Sequence, residues 1–226
     1  MNTDQPLFVY NKTFLAAEES AALMSLFGDS NFIEYKTRGS FLKARPKTEY
    51  RKSEGINYRW GQQSDYYNMG TTSFPPIMEQ LVEKIGDPSI NHIIATRYLI
   101  GNEHHIPWHH DKQEGAPGRG AKDIKADTNI YNVVVCDNPR RFQLAYPDKI
   151  FKEGKRKGDA AEYVFDEDLT NGSMMTLTAE GNKTLKHRVP KDKSWRGVRY
   201  SIVLRTLKTP EEKQKKTKRT KRQRVV

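Results

Sequence analysis

From residue 92 onward the chain is a succession of short runs rich in valine, isoleucine, tyrosine and threonine. Clusters of glycine, proline, asparagine and aspartate separate them, which is the pattern of strands joined by turns. The runs cover residues 93–100, 129–136, 141–146, 173–178, 183–188 and 198–207. Short strands in this number bury their apolar faces by packing as two sheets or by closing into a barrel. The sequence therefore predicts a two-sheet barrel of the jelly-roll kind.

Two amphipathic segments precede these runs and predict helices that pack outside the barrel. In residues 13–27, apolar side chains recur at helical spacing up to Gly28, although Glu19 interrupts the stripe. The second segment begins at Pro75-Pro76, and its apolar residues are four apart up to Gly86. The expected fold class is α+β, with N-terminal helices and a jelly-roll core.

A histidine and a carboxylate two residues apart, His109 and Asp111, are followed much later by His187. In an extended segment, residues i and i+2 point to one face, so His109 and Asp111 can bind one metal together. His187 would complete the set from a neighbouring strand. Two imidazoles and one carboxylate that leave coordination positions open are typical of mononuclear Fe(II) oxygenases. His-x-Asp alone occurs often by chance, so its meaning depends on what accompanies it.

Such a companion begins twelve residues after His187, in the run that starts Arg199-Tyr-Ser201. Arg199 and Ser201 share one face of an extended strand. A guanidinium that binds a carboxylate through two parallel hydrogen bonds, with a hydroxyl beside it, suits the distal end of a dicarboxylate. The sequence thus supplies a candidate metal site and a candidate co-substrate site.

With these motifs the chain resembles the AlkB-type Fe(II)/2-oxoglutarate dioxygenases, and the resemblance covers residues 46–206. The matching features, in order, are Tyr98, a turn that contains Gly101, His109-x-Asp111, Asn171-Gly172-Ser173, His187, and Arg199 and Arg205 six apart. The resemblance implies a double-stranded β-helix whose mouth carries the metal. It also implies Fe(II) ligation by His109, Asp111 and His187.

The same resemblance implies that Tyr98, Arg199 and Ser201 bind 2-oxoglutarate and that Arg205 supports the site near the metal. The chain departs from the family pattern at two positions. Thr96 and Ser201 stand where the family commonly has asparagine. Both replacements retain a hydrogen-bonding group, so they affect details of co-substrate contact and not the class of enzyme.

Between the two predicted helices lies a basic and aromatic stretch at residues 43–70, which resembles the nucleotide-recognition lid of the family. Arg45 and Arg51 are candidates to pair with phosphates. Tyr58 and Trp60 share a face if this segment is extended, and rings beside a metal can stack on a base lifted out of its strand. Composition alone favours a core-packing role for both rings, and it is the resemblance to the lid that favours stacking of a base on Trp60.

Two polar segments flank the predicted strands. Residues 112–128 are glycine-rich and predict a mobile loop at the edge of the site. Within it, Glu114 stands close to where repair enzymes of the family place an acidic residue that attracts a cationic methylated base, although a solvated loop carboxylate is an equal reading. Residues 151–158 carry four cationic side chains and predict an exposed hairpin tip that adds a phosphate contact.

Charge divides the chain into a domain at residues 1–207 and a tail at residues 208–226. The tail holds nine lysines and arginines against two glutamates, and so accounts for +7 of the formal net charge of +11. Dense cationic segments stay disordered until they meet a polyanion. Nucleic-acid contact, a nuclear import signal and a solubilising tail all remain open for it.

A single cysteine, Cys136, excludes an internal disulfide and favours a reducing compartment. The sequence has no long apolar run and no signal-peptide pattern at its start. We therefore expect an intracellular monomer in the cytoplasm or nucleus, with no membrane partner.

The function that these features predict is oxidative demethylation of N-alkylated bases in DNA or RNA. Fe(II), 2-oxoglutarate and dioxygen would be required, and formaldehyde, succinate and carbon dioxide released. Substrates would be of the 1-methyladenine or 3-methylcytosine type. Two alternatives stay open: a protein or small-molecule hydroxylase on the same scaffold, and a binding module whose metal site is inactive.

Overall fold

The computed structural model describes residues 5–29, 32, 45–56, 58, 73–118 and 122–213. Most of the predicted lid, including Trp60, and the tail beyond residue 213 lie outside these residues. The helices are α1 (Ala17–Asp29), α2 (Pro76–Ile85) and α3 (Ala179–Thr184). The strands are β1 (Phe8–Asn11), β2 (Lys47–Arg51), β3 (His92–Ile100), β4 (Ile106–His109), β5 (Ile130–Cys136), β6 (Arg140–Ala145), β7 (Phe165–Leu169), β8 (Ser173–Leu177), β9 (Lys186–Val189) and β10 (Arg196–Arg205).

The strands form two sheets, and neighbouring strands within each sheet are antiparallel. The major sheet has six strands in the order β1-β8-β5-β10-β3-β2, and the minor sheet has four in the order β4-β9-β6-β7. Few helices accompany them. This mostly antiparallel arrangement is consistent with the predicted jelly-roll.

The major sheet separates two apolar clusters, because successive side chains of a strand point to opposite faces. On β10, Tyr200, Ile202 and Leu204 belong to the cluster that also contains the apolar side chains of α1 and α2. The other face of the sheet meets the minor sheet across a second cluster, in which Tyr98 lies near Phe142. Arg199, Ser201 and Arg205 alternate with the first set on β10 and therefore face this second interior.

Both N-terminal helices form. α1 begins at Ala17, later than the predicted start at residue 13, and runs past the predicted end at Gly28 to Asp29, whereas α2 has the predicted ends. Pro76 opens α2, and Gly86 closes it in the left-handed conformation at φ 76° while its N–H bonds to two carbonyls of the last turn. The contacts of Glu19 explain why a charged residue lies within the apolar stripe of α1. Its carboxylate accepts the Ala16 N–H at 2.7 Å and pairs with Lys84 of α2, also at 2.7 Å.

Four strands were not predicted, and all four are edge strands: β1, β2, β4 and β7. They have four or five residues each, β7 reads Phe-Asp-Glu-Asp-Leu, and β4 contains Pro107. Edge strands that are short, polar or contain proline discourage pairing with other chains. They also lack the alternation of apolar and polar residues by which a strand is recognised in a sequence. The predicted run 183–188 was wrong in its first half, because α3 extends to Thr184 and β9 begins at Lys186.

No helix among the described residues is long and apolar enough to cross a membrane.

Replacing Ile202 tests the packing of the helices on the major sheet. Its side chain is fully buried in the first cluster, so Ile202→Ala should lower the free energy of unfolding by about 2–5 kcal/mol through lost burial and the cavity left behind. Val9 of β1, which is 48% exposed, offers the matched control, and Val9→Ala should cost less than about 1 kcal/mol. Urea denaturation measures both, and equal losses would contradict this packing.

Candidate metal centre and co-substrate pocket

Three potential metal ligands converge at one end of the minor sheet. His109 of β4 and His187 of β9 are directly opposite each other in the antiparallel pair, and their ring centroids are 4.1 Å apart. With Asp111 they present one ligand atom each, all within 4.8 Å of one another. This spacing allows the three side chains to share a single ion.

The route by which Asp111 reaches this cluster differs from the prediction. β4 ends at His109, so Asp111 lies in the following loop and not on the same strand face. The ring of His109 is oriented by a 2.9 Å contact between Nδ1 and the carbonyl of Pro107, which directs Nε2 toward the cluster. A backbone partner for the remote ring nitrogen is the usual device that fixes the tautomer of a metal-binding histidine.

Burial and neighbouring charges set the protonation states that a metal requires. Burial, together with the nearby His109, lowers the pKa of His187 to about 3. Burial also lowers the pKa of His109. For Asp111, burial favours the neutral acid, but the positive charge of Arg205, with smaller contributions from the neighbouring histidines and the Tyr58 hydroxyl, outweighs it and lowers the pKa of the carboxyl. Near neutral pH the cluster is therefore two neutral imidazoles and one carboxylate.

Arg205 and Tyr58 both contact the carboxylate of Asp111. The Tyr58 hydroxyl donates to Oδ1 at 3.2 Å, and Nη1 of Arg205 lies 3.6 Å from the same oxygen. The Arg205 guanidinium stacks 4.0 Å from the centre of the Tyr58 ring. Tyr58 is thus buried, with Arg205 on its ring and the His92 ring 5.9 Å away, so the structure does not leave it open for the predicted stacking on a base.

Behind the metal cluster, β10 places Arg199 directly opposite Tyr98 of β3 and Cys136 of β5. Arg199 has no solvent exposure, and none of its three guanidinium nitrogens has a hydrogen-bond partner among the described residues. Burial lowers the pKa of Arg199, opposed by Tyr98, whose ring lies 4.8 Å away. A buried cation without a counter-charge is costly, and a bound carboxylate would compensate it. Ser201, one residue beyond on the same face, is oriented by Asn132 at 2.7 Å.

Arg140 is a second buried guanidinium at this pocket, and it was not predicted. It lies 5.4 Å from the centre of the Tyr98 ring and 4.7 Å from that of Trp195, and one nitrogen donates to the Gly101 carbonyl at 2.9 Å. Burial, with Arg199 nearby, lowers the pKa of Arg140 to about 10. Adjacent arginines at the start of a strand look like surface charge, but the strand alternates and only Arg141 is exposed.

Asn182 of α3 is the other residue that sequence reasoning missed. Its side-chain oxygen accepts the Asp111 N–H at 2.9 Å, and its amide nitrogen donates to the Asp111 carbonyl at 3.2 Å and to Gln113 Oε1 at 3.1 Å. Its own carbonyl accepts from His110 at 2.7 Å. Gly181 lets α3 come this close to the β1 side of the barrel, since a Cβ there would lie 1.8 Å from the Leu7 carbonyl oxygen. A buried amide leaves no periodic signal in a sequence.

The loop after Asp111 is tethered along the residues that the structure describes. Gln113, fully buried, donates to the carbonyls of Lys125 at 3.0 Å and Thr128 at 2.6 Å. Residues 206–213 also bind this loop: the Lys208 N–H donates to the Asp123 carbonyl at 2.9 Å, and Glu212 pairs with Lys125 at 2.8 Å. The first residues of the predicted tail therefore contact this loop.

The predicted substrate contacts fall in different surroundings. Arg51 is buried, and its guanidinium donates to the Ile56 carbonyl at 3.3 Å. Arg45 is half-buried and donates to the His105 carbonyl. Glu114 forms an ion pair with Lys208 at 2.6 Å, so its charge is already balanced. Trp60 lies outside the described residues.

Comparisons with known proteins bear on the fold. No family model matches the chain, and no curated protein matches it in sequence. The solved structure described as "The structure of OsALKBH1" matches with a TM-score of 0.57 at 11% identity, over 89% of this chain and 98% of that one. The chain thus has the fold of an AlkB homologue, with a candidate His-Asp-His site in it.

Removing the Asn182 side chain tests whether it holds the Asp111 loop. Asn182→Ala leaves the buried Asp111 N–H and Gln113 Oε1 without partners, so we expect the free energy of unfolding to fall by about 2–4 kcal/mol. Lys183→Ala, at the next position of the same short helix, is the control and should have little effect. Urea denaturation in the presence of a chelator measures both proteins without metal. Equal stabilities of the two variants would show that the amide does not hold this loop.

Proposed function

We propose that the protein is an Fe(II)- and 2-oxoglutarate-dependent dioxygenase that oxidatively demethylates N-alkylated bases in DNA or RNA. Substrates of the 1-methyladenine or 3-methylcytosine type would yield formaldehyde, with succinate and carbon dioxide from the co-substrate. One observation carries the proposal. A cluster of two neutral imidazoles and a carboxylate lies in the same interior as a buried guanidinium, Arg199, whose nitrogens have no partner among the described residues.

The donor set fits Fe(II), since imidazole with carboxylate in a three-residue cluster leaves room for a chelating co-substrate and dioxygen. His109, Asp111 and His187 would hold the ion. When bound, iron with 2-oxoglutarate and dioxygen supplies the oxidation of a carbon–hydrogen bond, and a hydroxylated N-methyl group then breaks down to formaldehyde and the free base. Arg205 and Tyr58 keep Asp111 ionised and in place for this ion.

The pocket behind the cluster fits a dicarboxylate. Arg199 would bind the distal carboxylate through paired hydrogen bonds, while Ser201 and Tyr98 on the neighbouring positions of the same sheet face complete the cradle. Arg140 also lies beside the Tyr98 ring, 5.4 Å from its centre, and adds positive potential. A co-substrate with only one carboxylate, used at the metal, would leave the buried guanidinium of Arg199 without a negative partner. The site therefore favours a dicarboxylate.

A nucleic-acid substrate is supported by the resemblance of residues 43–70 to a nucleotide-recognition lid and by the cationic surface of the chain. Trp60 would stack on the base, and Arg45 would approach the backbone. Glu114 would contact a cationic base only if its pair with Lys208 opened. Arg51 is buried and fits better a role in holding the start of the lid.

The second candidate is a protein or small-molecule hydroxylase with the same metal and co-substrate chemistry. The burial of Arg51 and the Glu114–Lys208 ion pair favour it, because they remove two of the predicted nucleic-acid contacts. The two functions differ only in what enters the mouth above the metal.

Formaldehyde release decides between them. Reconstituted with Fe(II) and 2-oxoglutarate, the protein should release formaldehyde from oligonucleotides that contain 1-methyladenine or 3-methylcytosine, with a mass loss of one methylene from the strand. His109→Ala is the control for metal-independent release and should be inactive. Succinate formation without any change in the oligonucleotides would transfer the assignment to the hydroxylase.

Arg199→Ala should raise the KM for 2-oxoglutarate by about 30-fold or more, because removing one partner of a buried charge pair costs about 2–5 kcal/mol. Arg196→Ala is matched to it, since Arg196 lies on the same strand but is exposed. Initial rates of succinate formation at varied 2-oxoglutarate measure both variants. An unchanged KM in Arg199→Ala would exclude Arg199 from the co-substrate site.

A further inference from the structure

We infer that residues 151–158, called here the basic hairpin, form a fixed arm that binds the phosphate backbone of the substrate strand beside the metal centre. This inference rests on the proposed nucleic-acid substrate. It adds a surface on the minor sheet, formed by a segment of the chain that is not part of the predicted lid, the co-substrate site or the predicted tail.

The basic hairpin leaves the minor sheet at the end that carries the metal ligands. His187 of β9 is paired with His109 on one side and with Leu144 of β6 on the other. β6 ends one residue later, at Ala145, and the connection to β7 contains the basic hairpin. From the row of residues that includes both histidines, the chain passes through one short 3-10 helix, Pro147–Lys149, into the hairpin.

Hydrogen bonds fix the basic hairpin in one conformation. Phe151 and Asp159 join its two sides through a 2.9 Å bond, and a second 2.9 Å bond joins Gly158 to Phe151. Below them, Ile150 and Ala160 form a β-bridge. A surface that is already ordered loses little conformational entropy when a strand binds.

Side chains next to the metal ligands hold the base of the basic hairpin. Trp108, which precedes His109, donates its indole N–H to the Gly158 carbonyl at 2.7 Å. Arg188, which follows His187, donates to the same carbonyl and to the Tyr163 hydroxyl, the latter at 3.1 Å. The guanidinium of Arg188 also stacks 4.6 Å from the centre of the Trp108 ring. The hairpin is thus attached to the two strands that carry the histidine ligands.

The charge of the basic hairpin is available for a partner. Lys152, Lys155 and Lys157 are exposed and have no ion-pair partner among the residues that the structure describes. Arg156 differs, because it packs 4.4 Å from the centre of the Phe151 ring and donates to the Ala160 carbonyl at 3.2 Å. Flexible ammonium groups without a shaped pocket suit backbone phosphates, which position a strand without reading its sequence.

A triple variant with Lys152, Lys155 and Lys157 each changed to alanine tests the arm. The control is a second triple variant, Lys12→Ala with Lys191→Ala and Lys193→Ala, which removes equal charge. Lys12 is exposed at the β1 edge, and the other two lysines follow β9 at its end away from His187. Thermal unfolding should show that both variants are folded.

Fluorescence anisotropy with a labelled single-stranded oligonucleotide that contains 1-methyladenine gives the dissociation constant at a series of salt concentrations. Each lost phosphate contact lowers the slope of log affinity against log salt by about 0.7 for single strands, so the hairpin variant should lose about two in slope and bind roughly tenfold or more weakly at low salt. The control should lose affinity only slightly and keep its slope.

Wild-type affinity and slope in the hairpin variant would overturn the inference. So would tighter binding of the wild type to a poly-glutamate peptide than to the oligonucleotide at the same salt, since the arm would then serve an acidic protein. The proposed function fails separately. If the wild type binds oligonucleotide through the hairpin but releases no formaldehyde, the arm stands and the demethylation does not. If the wild type releases formaldehyde while the hairpin variant binds the oligonucleotide normally, the demethylation stands and the arm does not.

Discussion

The antiparallel pairing of β4 with β9 is the contact on which the site depends. It sets His109 opposite His187, so that two imidazole rings lie 4.1 Å apart between the sheets. Two protonated histidines this close in a buried setting would repel, and the lowered pKa of each keeps both rings neutral. Asp111 enters from a loop that Asn182 holds at its backbone. The minor sheet thus supplies ligands, while a short helix sets the position of the carboxylate.

The major sheet contributes Arg199 and Arg205 to the interior, and β6 of the minor sheet contributes Arg140. Arg205 is balanced by Asp111, whereas Arg199 and most of the Arg140 guanidinium have no balancing contact among the described residues. Burying cations in this way costs stability, and an apolar residue of similar volume would pack there at lower cost. A bound anion that pairs with these guanidinium groups would account for their burial. The two histidines and Arg140 therefore lie on the minor sheet and Arg199 and Arg205 on the major sheet, and they share one interior because the two sheets lie face to face.

The surroundings of the site are held by tethers of two kinds. The loop after Asp111 is fixed by the buried amide of Gln113 and by ion pairs with residues 206–213, so the described part of it is not the mobile loop that its glycine content predicts. The basic hairpin is fixed by Trp108 and Arg188. In both cases a segment that looks flexible in sequence is held by contacts to strands far away in the chain.

The sequence by itself determined the strands at the centre of the sheets, the two N-terminal helices and the residue types of the site, because these follow from local periodicity and from side-chain chemistry. Only the tertiary structure decided which strands form the edges, that Asp111 lies beyond β4, and that Arg140 and Asn182 belong to the site. It also paired Glu114 with Lys208 and buried Arg51. The physical reason is that burial and hydrogen-bond partners depend on segments distant in sequence. A polar residue looks the same in a sequence whether it faces water or a buried partner.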